Sequence, residues 1–148
     1  MAVGTDIVNR IMEALGEISP GNGFAMDVQG RVRRGRPENL TINREDMPLI
    51  AVSTQENAIE GMHPNAVSKR REITVDGVVA AMERDYEPDL DAMDEDIARA
   101  LAPLSQRGIG HGATKVAVAG GQYTHPEGGS NLAAVTYTIT VNYIVNWR

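Results

Sequence analysis

Apolar positions recur at helical spacing near the start of the chain. Ile7, Val8, Ile11, Met12, Leu15 and Ile18 form one stripe, with Asn9, Arg10, Glu13 and Glu17 largely opposite, so residues 5–18 are predicted to be an amphipathic helix. Thr5 or Asp6 is the expected N-cap, and Ser19-Pro20-Gly21 the expected stop. The period then shortens. Phe24, Met26 and Val28 alternate, which predicts a strand over residues 24–32 running into the basic segment Arg31-Val32-Arg33-Arg34-Gly35-Arg36-Pro37. Residues 49–53 are a short apolar run after Met47-Pro48 and are expected to be a buried strand, followed by a polar loop over 55–65 that holds Gly61 and Pro64. A longer strand is expected from Lys69 to Met82, with Ile73, Val75, Val79 and Ala81 on one side. Gly77 interrupts that series, as at a bulge or where another part of the chain comes close.

Helical spacing returns with Leu90, Met93, Ile97, Ala100, Leu101 and Leu104. The predicted helix opens at Pro88, reaches about Leu101, and is ended by Pro103 and Gly108. Asp89, Asp91, Asp94, Glu95 and Asp96 crowd its first half, where the helix dipole favours negative charge. Residues 113–119 form a further expected strand, and 120–131 a glycine-rich loop containing Tyr123 and His125. From Ala133 to Trp147 every odd position is apolar or small, while Thr136, Thr138, Thr140, Asn142 and Asn146 fall between. This period of two predicts one long C-terminal strand with one buried and one polar face.

At about 3.3 Å per residue, a strand over 132–147 would reach roughly 50 Å. A strand so long is expected to bend or to project from its own sheet, and a projecting edge is a template for pairing with another chain. The order of elements predicts an α+β fold: a mostly antiparallel β-sheet with two α-helices packed on one face and a long C-terminal strand. With 148 residues and 42% apolar content, the whole chain is expected to be one domain with its own core. Aromatics are only 4%, so aliphatic side chains must fill most of that core.

Charge and composition narrow the function. The net charge is −6, with 20 acidic and 14 basic residues, which argues against a dedicated nucleic-acid binder. Cysteine is absent, so disulfides, thiolate catalysis and cysteine-ligated zinc do not arise. The sequence shows neither a secretory signal nor a membrane-spanning run, and a soluble protein made in a cytoplasm is expected. His63, His111 and His125 lie in predicted loops without ligand spacing. Gly108-Ile109-Gly110-His111-Gly112 has a helix before it and a strand after it, the reverse of a dinucleotide fingerprint. No metal, cofactor or catalytic residue is expected, and the acidic helix start is read as solvated.

The basic clusters stand out in an acidic chain. Arg31 and Arg33 would share one face of a strand, and Arg34 and Arg36 the other; Lys69, Arg70 and Arg71 begin the next long strand. They fit a solvated surface, a contact with an acidic partner or neighbouring subunit, or non-specific contact with DNA.

The order of segments resembles the phage tail terminator family, the lambda-type minor tail proteins. The resemblance is carried by the helix Asp6-Ile7-Val8-Asn9-Arg10-Ile11-Met12-Glu13-Ala14-Leu15 and by the strand lead-in Asp46-Met47-Pro48-Leu49-Ile50-Ala51-Val52. It continues through Arg71-Glu72-Ile73-Thr74-Val75-Asp76-Gly77-Val78-Val79, the leucine- and acid-bearing helix over 90–101, and Tyr137-Thr138-Ile139-Thr140-Val141-Asn142-Tyr143. The similarity covers nearly the whole chain by order and pattern rather than by an invariant motif.

The resemblance implies a non-enzymatic virion protein: a homo-oligomeric ring, most often a hexamer, at the head-proximal end of the tail, assembled in the host bacterial cytoplasm. Its partners would be the tail tube protein and the head–tail connector or stopper, with DNA passing through the lumen without specific binding. Residues expected at interfaces are Arg31, Arg33, Arg34, Arg36, Lys69, Arg70, Arg71, Tyr123, His125, Tyr143 and Trp147. Residues 143–147 are expected to serve the ring as well as the core. Competing expectations are another head–tail joining protein, a tube subunit, a small ligand-binding α+β domain, and a DNA-binding accessory protein.

Overall fold

The computed structural model describes residues 2–40, 42–43, 46–81, 85–126 and 131–147. Its elements run α1 (Val3–Gly16), β1 (Val32–Arg34), β2 (Leu49–His63), β3 (Ala66–Ala80), α2 (Glu87–Arg107), β4 (Ala113–Thr124) and β5 (Leu132–Asn146). The strands form one sheet in the order β1-β2-β3-β5-β4. Every neighbouring pair is antiparallel except β1–β2, where the short β1 lies parallel to β2. The fold is α+β with a mostly antiparallel sheet.

Both helices cover the same face. Ile7, Val8, Ile11 and Leu15 of α1 join Leu90, Met93, Ile97, Leu101 and Leu104 of α2 over Ile50, Val52, Ile73, Val75, Val135, Ile139 and Val141 of the sheet. Burial in β5 alternates from Ala133 through Tyr143, as its period of two predicts. Against about 25 cal/mol per Å² of apolar surface removed from water, this continuous aliphatic core is the main stabilising contribution. A smaller cluster on the opposite face, Leu49, Ala51 and Val78, is covered by Leu40, Ile42 and Met47 from the segment that precedes β2. The Met47–Pro48 peptide bond there is cis.

The helix boundaries differ from expectation at both ends. α1 begins earlier, with Ala2 at its N-cap and no capping side chain, and Asp6 sits in its first turn instead of capping it. α2 continues through Pro103 to Arg107, and Gly108 ends it at a φ of 84°. Proline at 103 costs the helix one N–H donor without breaking it.

Five predictions about the strands are corrected. Residues 24–31 are not a strand; strand pairing starts only at Val32. Phe24, Met26 and Val28 alternate because the segment is pinned to the helices. Asp96 of α2, 5% exposed, accepts hydrogen bonds from the backbone N–H groups of Ala25 (3.2 Å) and Met26 (2.7 Å). Arg99 stacks over the Phe24 ring at 4.9 Å, and the Val28 N–H donates to the Ile18 carbonyl. Asp96 is thus a buried anchor and not part of a solvated helix start.

The expected loop over 55–65 is instead the outer half of β2, which runs to His63. β3 starts at Ala66, and the prediction of its end at Met82 lies outside the described residues. The expected glycine loop begins as strand: β4 runs through Gly120 and Gly121 to Thr124, while residues 127–130 lie outside the described residues. β5 does not project alone either, because β3 pairs with it along its whole length. The free edges belong to β4 and to β2 beyond its short pairing with β1.

Gly77 marks a close approach and not a bulge, since β3 keeps unbroken register with both neighbours around it. A Cβ at Gly77 would lie 2.4 Å from Met93 Cγ and 2.8 Å from Ile97 Cδ1, both fully buried. Glycine here lets α2 sit down on the sheet. Gly77→Ala is therefore expected to lower stability by about 1–3 kcal/mol through overpacking. Adding Met93→Ala should make the double variant less destabilised than the two single losses summed, as read by urea unfolding.

Candidate interaction surface

The Arg31–Arg36 segment is held largely by its own chain. Arg31 Nε donates to the Pro48 carbonyl at 2.9 Å, and its Nη2 to the Asp27 carbonyl. Arg33 pairs with Asp46 at 3.4 Å, and Arg36 Nη2 donates to Gln55 Oε1 at 2.9 Å. The Asp46 carboxyl is held below its usual range, first by the Asn43 N–H that it accepts and then by the Arg33 charge. Arg34 is exposed and has no side-chain partner among the described residues. Three of these four guanidinium groups are thus engaged along the parallel β1–β2 pairing, by Asp46 and Pro48 just before β2 and by Gln55 within it.

Tyr123 and His125 are also engaged within the molecule. The Tyr123 hydroxyl donates to Asp91 Oδ1 at 2.6 Å, and His125 Nδ1 lies 2.7 Å from the Tyr86 hydroxyl. These two contacts tie the end of β4 to the start of α2. Nearby, Tyr137 donates to the Asp94 carboxylate, and its ring covers Gly120, where a Cβ would meet ring Cγ at 2.5 Å. Burial, reinforced by these acidic acceptors, pushes both the Tyr123 and Tyr137 phenols well above their usual range. The acids here accept tyrosine hydroxyls, and among the described residues no group of three or more His, Asp or Glu is placed to hold a metal ion.

The second basic cluster splits between the two sheet faces. Arg70 points away from the helices and bridges Glu60 at 3.6 Å and Glu56 at 3.9 Å, all three well exposed. Such exposed pairs contribute little. Lys69 and Arg71 lie on the helix side, where a recess of about 290 Å³ is lined by Val3, Gly4, Asn57, Lys69, Arg71 and Tyr143, among others. Arg71 Nε and Nη1 are out of contact with solvent and have no hydrogen-bond partner among the described residues. The guanidinium presses on Gly4 so closely that a Cβ there would lie 2.3 Å from Nη1. α1 also starts at this recess with no side-chain cap.

Tyr143, expected at an interface, belongs to the core: it is 2% exposed, and its hydroxyl donates to Asn57 Oδ1 at 2.9 Å. Removing residues 143–147 would therefore damage the fold itself. Val145 is still packed against the core; exposure begins at Asn146, and Trp147 is 43% exposed.

Composition and spacing did not reveal the outer end of the sheet. Ile59 and Met62 of β2 are 61% and 65% exposed, and they pair with Lys69 and Val67 of β3. Cross-strand partners share a face, so these apolar side chains lie on the helix side of the sheet together with Lys69 and Arg71. This outer end, residues 58–63 and 66–71 with the end of β5, forms an arm with an apolar, basic face. Ile59 and Met62 at cross-strand register with odd-numbered β3 residues would have been the signal, had residues 55–63 been read as strand. A second recess, of about 700 Å³, opens between the C-terminal halves of the helices beside Arg10, Glu17, Phe24 and Arg99.

On the polar face, Asp76 accepts the Thr136 hydroxyl at 2.6 Å. Burial raises its carboxyl above the usual range, opposed by that hydrogen bond and assisted by the Glu38 charge. A raised folded-state pKa gives stability that is full below the ordinary carboxylate range and is lost as pH rises through the folded value. Asp76→Asn, which keeps the acceptor for Thr136, is expected to be more stable than the parent at pH 7. That advantage should vanish as the pH approaches the ordinary Asp range, in denaturant midpoints measured across pH.

No helix among the described residues is long and apolar enough to cross a membrane. No protein-family model matches this chain, and no curated protein sequence matches it either. What the protein does has therefore to be read from its pattern and its surface.

Proposed function

We propose that this chain is a structural, non-enzymatic subunit of a phage tail: the terminator that assembles as a ring on the finished tail tube. The observation that carries the reading is the sheet that outruns its helices. Its outer arm exposes Ile59, Met62 and Trp147. Both of its edges, β4 and the outer part of β2, have unpaired backbone groups among the described residues. Exposed apolar side chains on an open edge are a liability in a monomer and an asset in an assembly. The order of segments, which resembles the lambda-type tail terminators, supports the same reading.

In this role the ring stops tube polymerisation on one side and offers a docking face to the head–tail connector on the other. DNA passes through the lumen without specific contacts, in keeping with a net charge of −6. Six subunits are the expected number, from the resemblance.

The competing reading is a tube subunit, because edges open on both sides of a sheet can also propagate. Sedimentation velocity and negative-stain microscopy separate the two. A terminator gives discrete rings of one size that bind the ends of tubes, and Trp147→Ser with Ile59→Ser shifts it toward monomer. Open-ended tubes from the purified chain alone would overturn the terminator assignment.

A further inference from the structure

The recess at the outer end of the sheet is a set of donors that lacks an acceptor. Arg71 presents two buried N–H-bearing nitrogens without a partner, and Lys69 forms no ion pair among the described residues. The uncapped start of α1 adds free backbone N–H groups and the positive end of a helix dipole. Asn57 Oδ1 is already occupied by the Tyr143 hydroxyl. Arg71 Nε and Nη1 are themselves closed off from solvent, so the recess presents their positive charge beside Lys69, and a carboxylate is the group that this charge favours.

The opposite corner of the molecule carries the complement. Glu87, Asp91 and Glu95 are exposed and spaced four residues apart, so they form one stripe along α2. The Tyr123–Asp91 hydrogen bond places this stripe beside β4, the edge of the sheet opposite β2. α2 starts at the end of the sheet where Asp89 lines a recess with Pro48, Val79 and Ala80, far along the strands from the Lys69–Arg71 arm. The acidic stripe thus lies beside the β4 edge and the basic recess over the outer ends of β3 and β5, at different ends of the same sheet.

We infer that the arm of one copy docks on the acidic α2 stripe of the next copy, with a stripe carboxylate meeting Lys69 at the recess. This rests on the ring reading above and specifies its subunit contact. Two unlike surfaces at separate places on one subunit join head to tail, and a head-to-tail contact closes into a ring when its rotation allows. Ile59 and Met62 border the charged recess and supply the apolar part of the joint. The acids also offset the dipole of α2, but that local role leaves the unpaired cations of the arm unexplained.

Charge exchange tests the contact. Lys69→Glu alone and Glu95→Lys alone are each expected to weaken self-association by at least about tenfold in sedimentation equilibrium, because like charges then face one another. The double variant K69E/E95K, with the pair inverted, is expected to regain it, as is an equimolar mixture of the two single variants. Circular dichroism melts of all three should stay close to the parent, since Glu95 is exposed and Lys69 is part-buried without an ion pair among the described residues. If the parent forms rings but the single variants assemble equally well, or the double variant does not recover, the docking assignment falls and the ring reading stands. If the parent stays monomeric at every concentration and salt, the ring reading falls and this contact with it.

Discussion

The unbroken pairing of β3 with β5 is the constraint on which the rest of the molecule depends. All 15 residues of β3 face all 15 of β5 without a shift in register. Because side chains alternate across a strand, a slip by one residue would turn Ile73, Val75, Val135, Ile139 and Val141 out of the core at once. The register is thus fixed by burial on the helix face, and it in turn fixes where Gly77, Arg71 and Asp76 stand. Gly77 lands under Met93 and Ile97, where α2 needs to come close. Arg71 lands at the start of α1, and Asp76 on the opposite face beside Thr136.

The helix layer follows from that plank. α1 and α2 share one face and leave the other to the threonines of β5 and a small apolar patch under Leu40, Ile42 and Met47. The sheet is longer than the helices need, and the excess becomes the arm. Coverage is therefore uneven along a single pair of strands: the inner half is covered by the helices, and the outer half exposes Ile59 and Met62 beside it.

The sequence made the inner half legible and concealed the outer. Alternation in β5 and the stripes of α1 and α2 are readable because one covered face imposes a period on side chains. Residues 55–63 lack such a period because neither of their faces is covered. They are a strand through backbone pairing with β3, which leaves no mark on composition. The reverse error occurred at Phe24, Met26 and Val28, where anchoring to Asp96, Arg99 and Ile18 imitates the alternation of a strand. Gly120-Gly121 looks like a turn in sequence, yet the Tyr137 ring fills the place of the missing side chain. The basic segments were visible as charge, but which cations are already satisfied depends on distant partners such as Asp46, Pro48 and Gln55.

The irregularities of the sheet are confined to its outer members. β2 shifts register against β3 between Thr54 and Glu56 and again between Ile59 and Gly61, and β4 shifts against β5 near Ala113 and Gly120. β3 and β5 have no such shift between them. Each shift turns the outward backbone groups off the even spacing that any passing strand could match. An edge of that kind works as a ward lock: a neighbour with the same broken spacing can engage it, and a generic strand cannot. A sheet edge broken in this way can stay open without offering an even template to every strand it meets.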